Sequence, residues 1–238
     1  MVAAGRRHLP RGWSDLGRQL AIWFGFFVGY QLARGLADRN PARAFQNGLA
    51  VVNFETRVTH RLYELTFQNF VDQRHLLETA VSWTYWNSEF TVVGLAVLWV
   101  YVRRHAEFQR FRNSILLANT IGLVGYVFVP TAPPRLLGVG FVNSHRDGLV
   151  SLAANPYAAM PSLHAADALI VGVVLFSLCR SLWAKLVWAI WPAWVWFAVM
   201  ATGNHFWLDC MAGIAVALLA MTAVYNEPIR RVLAARRA

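Results

Sequence analysis

The sequence predicts an all-α polytopic membrane protein: a bundle of six transmembrane helices plus an amphipathic helix at the interface. Composition, run length and tryptophan content predict it. Of the 238 residues, 57% are hydrophobic and 14% charged, where a soluble domain carries about a quarter charged residues. Six apolar runs come near the ~20 residues that cross a bilayer. They cover about 18–36, 78–102, 113–130, 162–180, 184–203 and 205–225, and they are too long and too little alternating for strands. Eleven Trp residues suit a chain with wide membrane–water interfaces, where amphipathic rings settle.

The elements follow in order. The first run, from Gln19 to Ala33, is followed by Arg34, Asp38 and Arg39 rather than by a small-residue cleavage site, so it reads as a helix and not a signal peptide. Between runs one and two, Val51, Phe54, Val58, Leu62 and Leu65 recur at helical spacing. Arg57, His60, Arg61, Glu64 and Gln68 fall elsewhere on that helix. It either lies in the interface, apolar face down, or packs on the bundle. In the second run Glu78, Tyr85 and Glu89 share one helix face within about 40°. An acid at membrane depth faces protein or a cavity, so this face either lines a cleft or makes a polar contact between helices. The last two runs are parted only by Thr202-Gly203-Asn204, where the chain turns sharply. Cys179 and Cys210 both sit in apolar runs and have neither disulfide nor metal-ligand spacing. No repeat or second domain is evident, so residues 1–238 read as one membrane domain.

The formal net charge is +10, and Lys185 is the only lysine. The arginines flank the apolar runs and leave no basic soluble domain for nucleic acid. Six spans put both termini on one side. That side receives Arg6, Arg7, Arg11, Arg18, Arg103, Arg104, Arg110, Arg112, Arg180, Lys185, Arg230, Arg231, Arg236 and Arg237. The positive-inside rule makes it cytoplasmic. Arg43, Arg57, Arg61 and Arg74 are the exception on the outer side, partly offset by Glu55, Glu64 and Asp72.

Three segments carry chemistry, all at the outer side. In Gly203-Asn204-His205-Phe206-Trp207-Leu208-Asp209, a helix sets His205 and Asp209 one turn apart. A carboxylate there can orient the imidazole and leave its other nitrogen free as nucleophile or base; the alternative is a His–Asp pair that only satisfies itself within the bundle. In Met160-Pro161-Ser162-Leu163-His164, Pro161 suits a first helical turn. Ser162 and His164 then sit at a helix N-terminus, which is either a natural phosphate site, with His164 able to act as general acid, or a plain Ser cap beside an interfacial His. Asp167, one turn on, either orients His164 or faces a polar cavity. In Pro133-Pro134-Arg135, a stiff turn presents a guanidinium that either binds phosphate oxygens or snorkels at the interface; taken alone, the segment favours the second. The long loop at 131–161 joining these segments is itself a functional signal.

Together the phrases PTAPPRLL, YAAMPSLHAA and TGNHFWLDCMAG resemble the type 2 phosphatidic-acid phosphatase superfamily, the lipid phosphate phosphatases. The resemblance is strongest to its inositol-phosphorylceramide-synthase-like branch and covers about 112–225. It implies a six-helix core with its site facing away from the cytoplasm. It implies that His205 attacks phosphorus to form a phosphohistidine, that Asp209 orients His205, and that His164 protonates the leaving group. Arg135 and Ser162 would hold phosphate oxygens, and neither metal nor cofactor is required. Asn204, Tyr85 and Glu89 are further substrate-binding candidates. Substrates would be lipid phosphates or phospholipids, discharged to water in a phosphatase or to an alcohol acceptor in a transferase.

Two departures stand out. The family's first motif has a Lys where this chain has Phe128, and no Arg precedes His205 closely. The phosphate cradle is therefore less cationic, which suits a phosphodiester, unless a residue such as Arg146 supplies the charge. Three readings follow: hydrolysis of a lipid phosphate, transfer of a phospho-head-group to an alcohol, or a non-catalytic lipid transporter or scaffold on the same fold.

Overall fold

The computed structural model describes residues 9–37, 40–141 and 157–226. Arg6, Arg7, Asp38, Arg39, Arg146, Arg230, Arg231, Arg236, Arg237 and the middle of the 131–161 loop lie outside the described residues. Nine α-helices are described: α1 (Gly12–Ala37), α2 (Pro41–Thr59), α3 (Tyr63–Asp72), α4 (His75–Asn87), α5 (Val93–Arg103), α6 (His105–Phe128), α7 (Leu163–Leu178), α8 (Leu182–Ala201) and α9 (Trp207–Tyr225). No strand is described; the one β-bridge joins Thr131 to Ala158.

Helix α7 is the centre. It packs on α6, α8 and α9, and Ala166, Ile170 and Val171 are fully buried there with Phe108, Phe111 and Ala118 of α6. Small residues let the helices close. A Cβ on Gly213 of α9 would stand 2.2 Å from the carbonyl oxygen of Ser162, so only glycine fits there. Helix α1 lies on α6, while α3 and α4 lie on α8.

Among the described residues, two helices are long and apolar enough to cross a membrane, Leu182–Ala201 and Trp207–Tyr225; the apolar helix Leu163–Leu178 is shorter. The expected second span is not one regular helix, because a π-helical turn at Ser88–Val92 joins α4 to α5. The expected amphipathic helix is two helices, since His60 takes a left-handed conformation (φ 60°) that ends α2. The inward face of α2 is Ala44, Gly48, Val51 and Glu55. Phe54 and Val58, expected on the same apolar face as Val51, are exposed. Glu64 and Gln68 are buried on α3 rather than facing outward.

Candidate active site

The turn between α8 and α9 sets the first candidate histidine. Gly203 has a φ of +66°, a conformation open to glycine at little cost. It reverses the chain so that His205 stands just ahead of α9. His205 is buried, and its Nδ1 lies 2.9 Å from the carbonyl oxygen of Ala159. A carbonyl only accepts, so Nδ1 carries the hydrogen in the neutral ring and Nε2 keeps its lone pair.

Asp209 does not make the hydrogen bond expected of it. Its Oδ2 lies 3.6 Å from Nδ1 of His205, within ion-pair reach. The same oxygen accepts a 2.8 Å bond from the backbone N–H of Phe206, so Asp209 caps the helix that follows His205. The physical reason is position: His205 precedes the first helical residue and is not one turn along the same helix.

The start of α7 sets the second histidine. Ser162, not Pro161, is the transition residue, and its side chain accepts from the N–H of Ala165 at 3.3 Å. Ser162 is fully buried between α7 and α9, where its own N–H donates to the carbonyl of Asp209 at 3.0 Å. It is not part of the cavity wall, so its expected role as a phosphate donor gives way to that of a helix cap. His164 does face the cavity. Its ring stacks on Tyr85, with centroids 4.9 Å apart and planes 16° from parallel. Its Nε2 lies 3.2 Å from the Tyr85 carbonyl and 3.3 Å from Oε2 of Glu89. The His164 and His205 rings are 5.6 Å apart.

Arg135 arrives on a short 3-10 turn, Pro134–Leu136. Its N–H donates to the Gly203 carbonyl at 3.0 Å, and its guanidinium donates to Oδ1 of Asn204. Asn204 in turn donates to the Thr202 hydroxyl at 2.8 Å. The loop bearing Arg135 is anchored from outside. Ala132 N–H donates to the Ala44 carbonyl, Asn47 donates to the Pro130 carbonyl, and Thr131 bridges Tyr157 and Ala159.

These groups border one cavity of about 550 Å³. Its polar end holds Arg135, His164, Asn204, His205, Tyr85 and Glu89. The rest is largely apolar, with walls that include Trp23, Phe27, Val93, Val97 and Ile115. Arg135 is the only arginine or lysine on the wall among the described residues. Phe128, at the position where the family carries a lysine, is exposed and stands off the cavity. Asp167 lines the cavity below His164 but is held by Asn119, whose amide donates to both carboxylate oxygens at 3.0 and 3.1 Å. Of the expected face in the second run, Tyr85 and Glu89 reach the cavity. Glu78 does not; it lies 3.7 Å from His75. Glu78 stands in the first turn of α4, about 10 Å along the axis from Tyr85 at 1.5 Å per residue, so sharing a face does not bring it to the cavity.

Sequence reasoning missed two acids. Glu55 of α2 and Glu64 of α3 are fully buried, and they accept from the N–H groups of Leu208 at 2.9 Å and Trp207 at 2.6 Å. With Asp209 on Phe206, three carboxylates cap three successive N–H groups that α9 itself cannot satisfy. The signal was present: Glu55 continues the small-residue stripe Ala44, Gly48, Val51 at helical spacing. Among the described residues no group of three or more His, Cys, Asp or Glu is arranged to hold a metal ion.

The class that the fold and site define is an all-helical bundle with two histidines and one arginine at the polar end of a largely apolar cavity. The chain belongs to the PAP2 superfamily, whose sequence profile matches residues 49–223. A phosphoinositol dihydroceramide synthase from Bacteroides thetaiotaomicron is 28% identical over 141 residues, covering 50% of this chain and 46% of that protein. The chain thus aligns with just under half the length of that curated relative. Among solved structures, Aquifex aeolicus LpxE shares the fold with a TM-score of 0.55 at 19% identity, covering 68% of this chain and 93% of that one.

Proposed function

We propose that the chain is a membrane-embedded enzyme that cleaves or exchanges a lipid-linked phosphate through a phosphohistidine on His205. The observation that carries this reading is the pairing of the His164 and His205 rings, 5.6 Å apart, at the polar end of an otherwise apolar cavity. Nε2 of His205 attacks phosphorus, and the bond from phosphorus to the leaving oxygen breaks as the P–N bond forms. His164 gives that oxygen a proton, and Glu89 lies close enough to its Nε2 to exchange protons with it. Water or an alcohol then loses a proton to His164 and attacks phosphorus, the P–N bond breaks, and His205 is restored. Arg135, steadied by Asn204, faces the non-bridging oxygens. The apolar walls take an acyl or prenyl chain.

In the membrane, α1, α4 with α5, α6, α7, α8 and α9 act as six spans, with α2 and α3 at the outer interface. Outward-facing Phe24, Leu95, Trp183 and Leu219 are exposed, as lipid contact requires. The termini are cytoplasmic and the site faces outward.

Transfer to an alcohol acceptor is the second reading, favoured by the single Arg135 on the cavity wall among the described residues. One guanidinium balances a singly charged phosphodiester better than a monoester. The Bacteroides relative is by name a phosphoinositol dihydroceramide synthase and not a phosphatase. The test is phosphate release by purified protein in detergent from lipid mono- and diphosphates, with His205→Ala as control. Histidine-dependent release supports hydrolysis. A transferred head group on an added alcohol, with no free phosphate, supports transfer. Wild-type turnover by His205→Ala overturns both.

A further inference from the structure

The three carboxylates at the start of α9 pose a physical problem. Glu55, Glu64 and Asp209 are each fully buried, come from three helices, and converge on adjacent N–H groups. Helix N-terminal N–H groups favour negative charge. Three like charges without a counter-ion nevertheless repel strongly at low dielectric. Among the described residues no lysine or arginine forms an ion pair with any of them; His205 at Asp209 is the nearest basic group. Oε2 of Glu55 and Oε2 of Glu64 are buried and meet no hydrogen-bond donor, and the two carboxyls are neighbours. One hydrogen on one of them satisfies both oxygens at once.

We propose that Glu55 and Glu64 are positioning residues: a carboxylic acid–carboxylate pair sharing one proton, which clamps the first turn of α9 and so fixes Asp209 and His205. Glu55 is the protonated partner. Burial first, then the charges of Glu64 and Asp209, push it up to about 9. Its hydroxyl donates to Glu64, which keeps its charge and its bond to Trp207. The titratable groups facing the pair are Asp209 and Cys210 of α9, with His205 beyond Asp209. The clamp ties α2 and α3, outside the helices that carry the histidines, to the residue that begins α9. Its effect on catalysis rests on the reading of His205 given above; its protonation does not.

The sign of the pH effect follows. A carboxyl raised from its ordinary 4.5 to about 9 holds a proton in the folded state that the unfolded chain releases. Its contribution is full below about 4.5 and is lost as pH rises toward 9.

The experiment compares full-length wild type, Glu55→Gln and Glu55→Ala in detergent by three readouts. Gln keeps an acceptor for Leu208 and a donor for Glu64, so it copies the protonated acid without titrating. The infrared carbonyl stretch of a buried protonated carboxylic acid should be present in wild type at pH 7 and reduced in Glu55→Gln. The midpoint of thermal unfolding should fall between pH 5 and 9 more steeply in wild type than in Glu55→Gln. Where turnover is measurable, Glu55→Gln should keep wild-type kcat at pH 7 and lose less activity above pH 9. Glu55→Ala should lower kcat at least tenfold with KM little changed. An unchanged infrared band with identical pH slopes in wild type and Glu55→Gln overturns the shared proton. A wild type inactive on every lipid phosphate overturns the enzyme reading alone, since the first two readouts need no catalysis.

Discussion

Nδ1 of His205 is held by the carbonyl of Ala159 at 2.9 Å, while Oδ2 of Asp209 stands 3.6 Å from the same nitrogen. The backbone therefore fixes the ring's tautomer, and the carboxylate supplies charge nearby and a cap on Phe206. Imidazole orientation and electrostatic support, which a single carboxylate provides in many His–Asp pairs, are here divided between two groups.

Asp209→Asn tests that division. The amide oxygen can still accept from Phe206, and the Ala159 bond is untouched, so the protein should fold and keep an oriented His205. What is lost is the negative charge beside a ring that becomes positive in the proposed phosphohistidine. We expect kcat to fall by about 10- to 100-fold, equivalent to ~1.4–2.8 kcal/mol of barrier, with KM little changed. A loss as complete as that of His205→Ala would show that Asp209, not Ala159, orients the ring.

His164 is assigned the proton of the leaving group, and this has a signature in substrate choice. His164→Ala should lose about 10²- to 10⁴-fold with an alkyl lipid phosphate, whose alkoxide needs a proton. With an aryl phosphate whose leaving group departs as the anion, the first step should be nearly unaffected. Single-turnover release of the two leaving groups by wild type and variant measures this. Equal losses for both substrates would remove His164 from general-acid work.

How far the site could be read beforehand depends on how local its geometry is. His164, His205, Arg135 and Asn204 sit in short segments whose turn residues, Pro133, Gly203 and Ser162, fix them nearly independently of the rest, and the structure brings the first four together. The polar contacts that cross the fold were not legible. Ala159 contributes only its carbonyl, which no side-chain pattern announces. Glu55 reaches Leu208 across 153 residues, and its position on the inward stripe of α2 was masked by reading the apolar residues Phe54 and Val58 as the buried face. Glu78 failed for a different reason: it shares a helix face with Tyr85 but stands in the first turn of α4, about 10 Å further along the axis, and angular position alone does not show that offset.

Asn204 offers a test of substrate positioning. Its side-chain oxygen accepts from Arg135 and its amide donates to Thr202, so it fixes the guanidinium at the polar end of the cavity. Asn204→Ala frees the arginine without deleting its charge. KM should rise by about 3- to 10-fold, the value of roughly one hydrogen bond, and kcat should fall less. Steady-state kinetics separate the two. A fall in kcat with constant KM would mean that Asn204 acts on the transition state and not on Arg135.

Asp167 is the buried acid that the proposed chemistry leaves unused, and the side chain of Asn119 is the partner that meets both its oxygens. Asn119→Leu removes the donor and strands a carboxyl group inside the bundle, which should cost about 1–3 kcal/mol. Asp167→Leu on its own removes the group that demands satisfaction and leaves Asn119 bonded to the Ile115 carbonyl, so its cost should be smaller. The double substitution should recover most of the loss of Asn119→Leu, because replacing both partners by apolar groups is nearly neutral. Thermal unfolding midpoints of the four proteins form the cycle. Additive losses would mean that Asp167 and Asn119 act separately, with Asp167 satisfied from the cavity and not by Asn119.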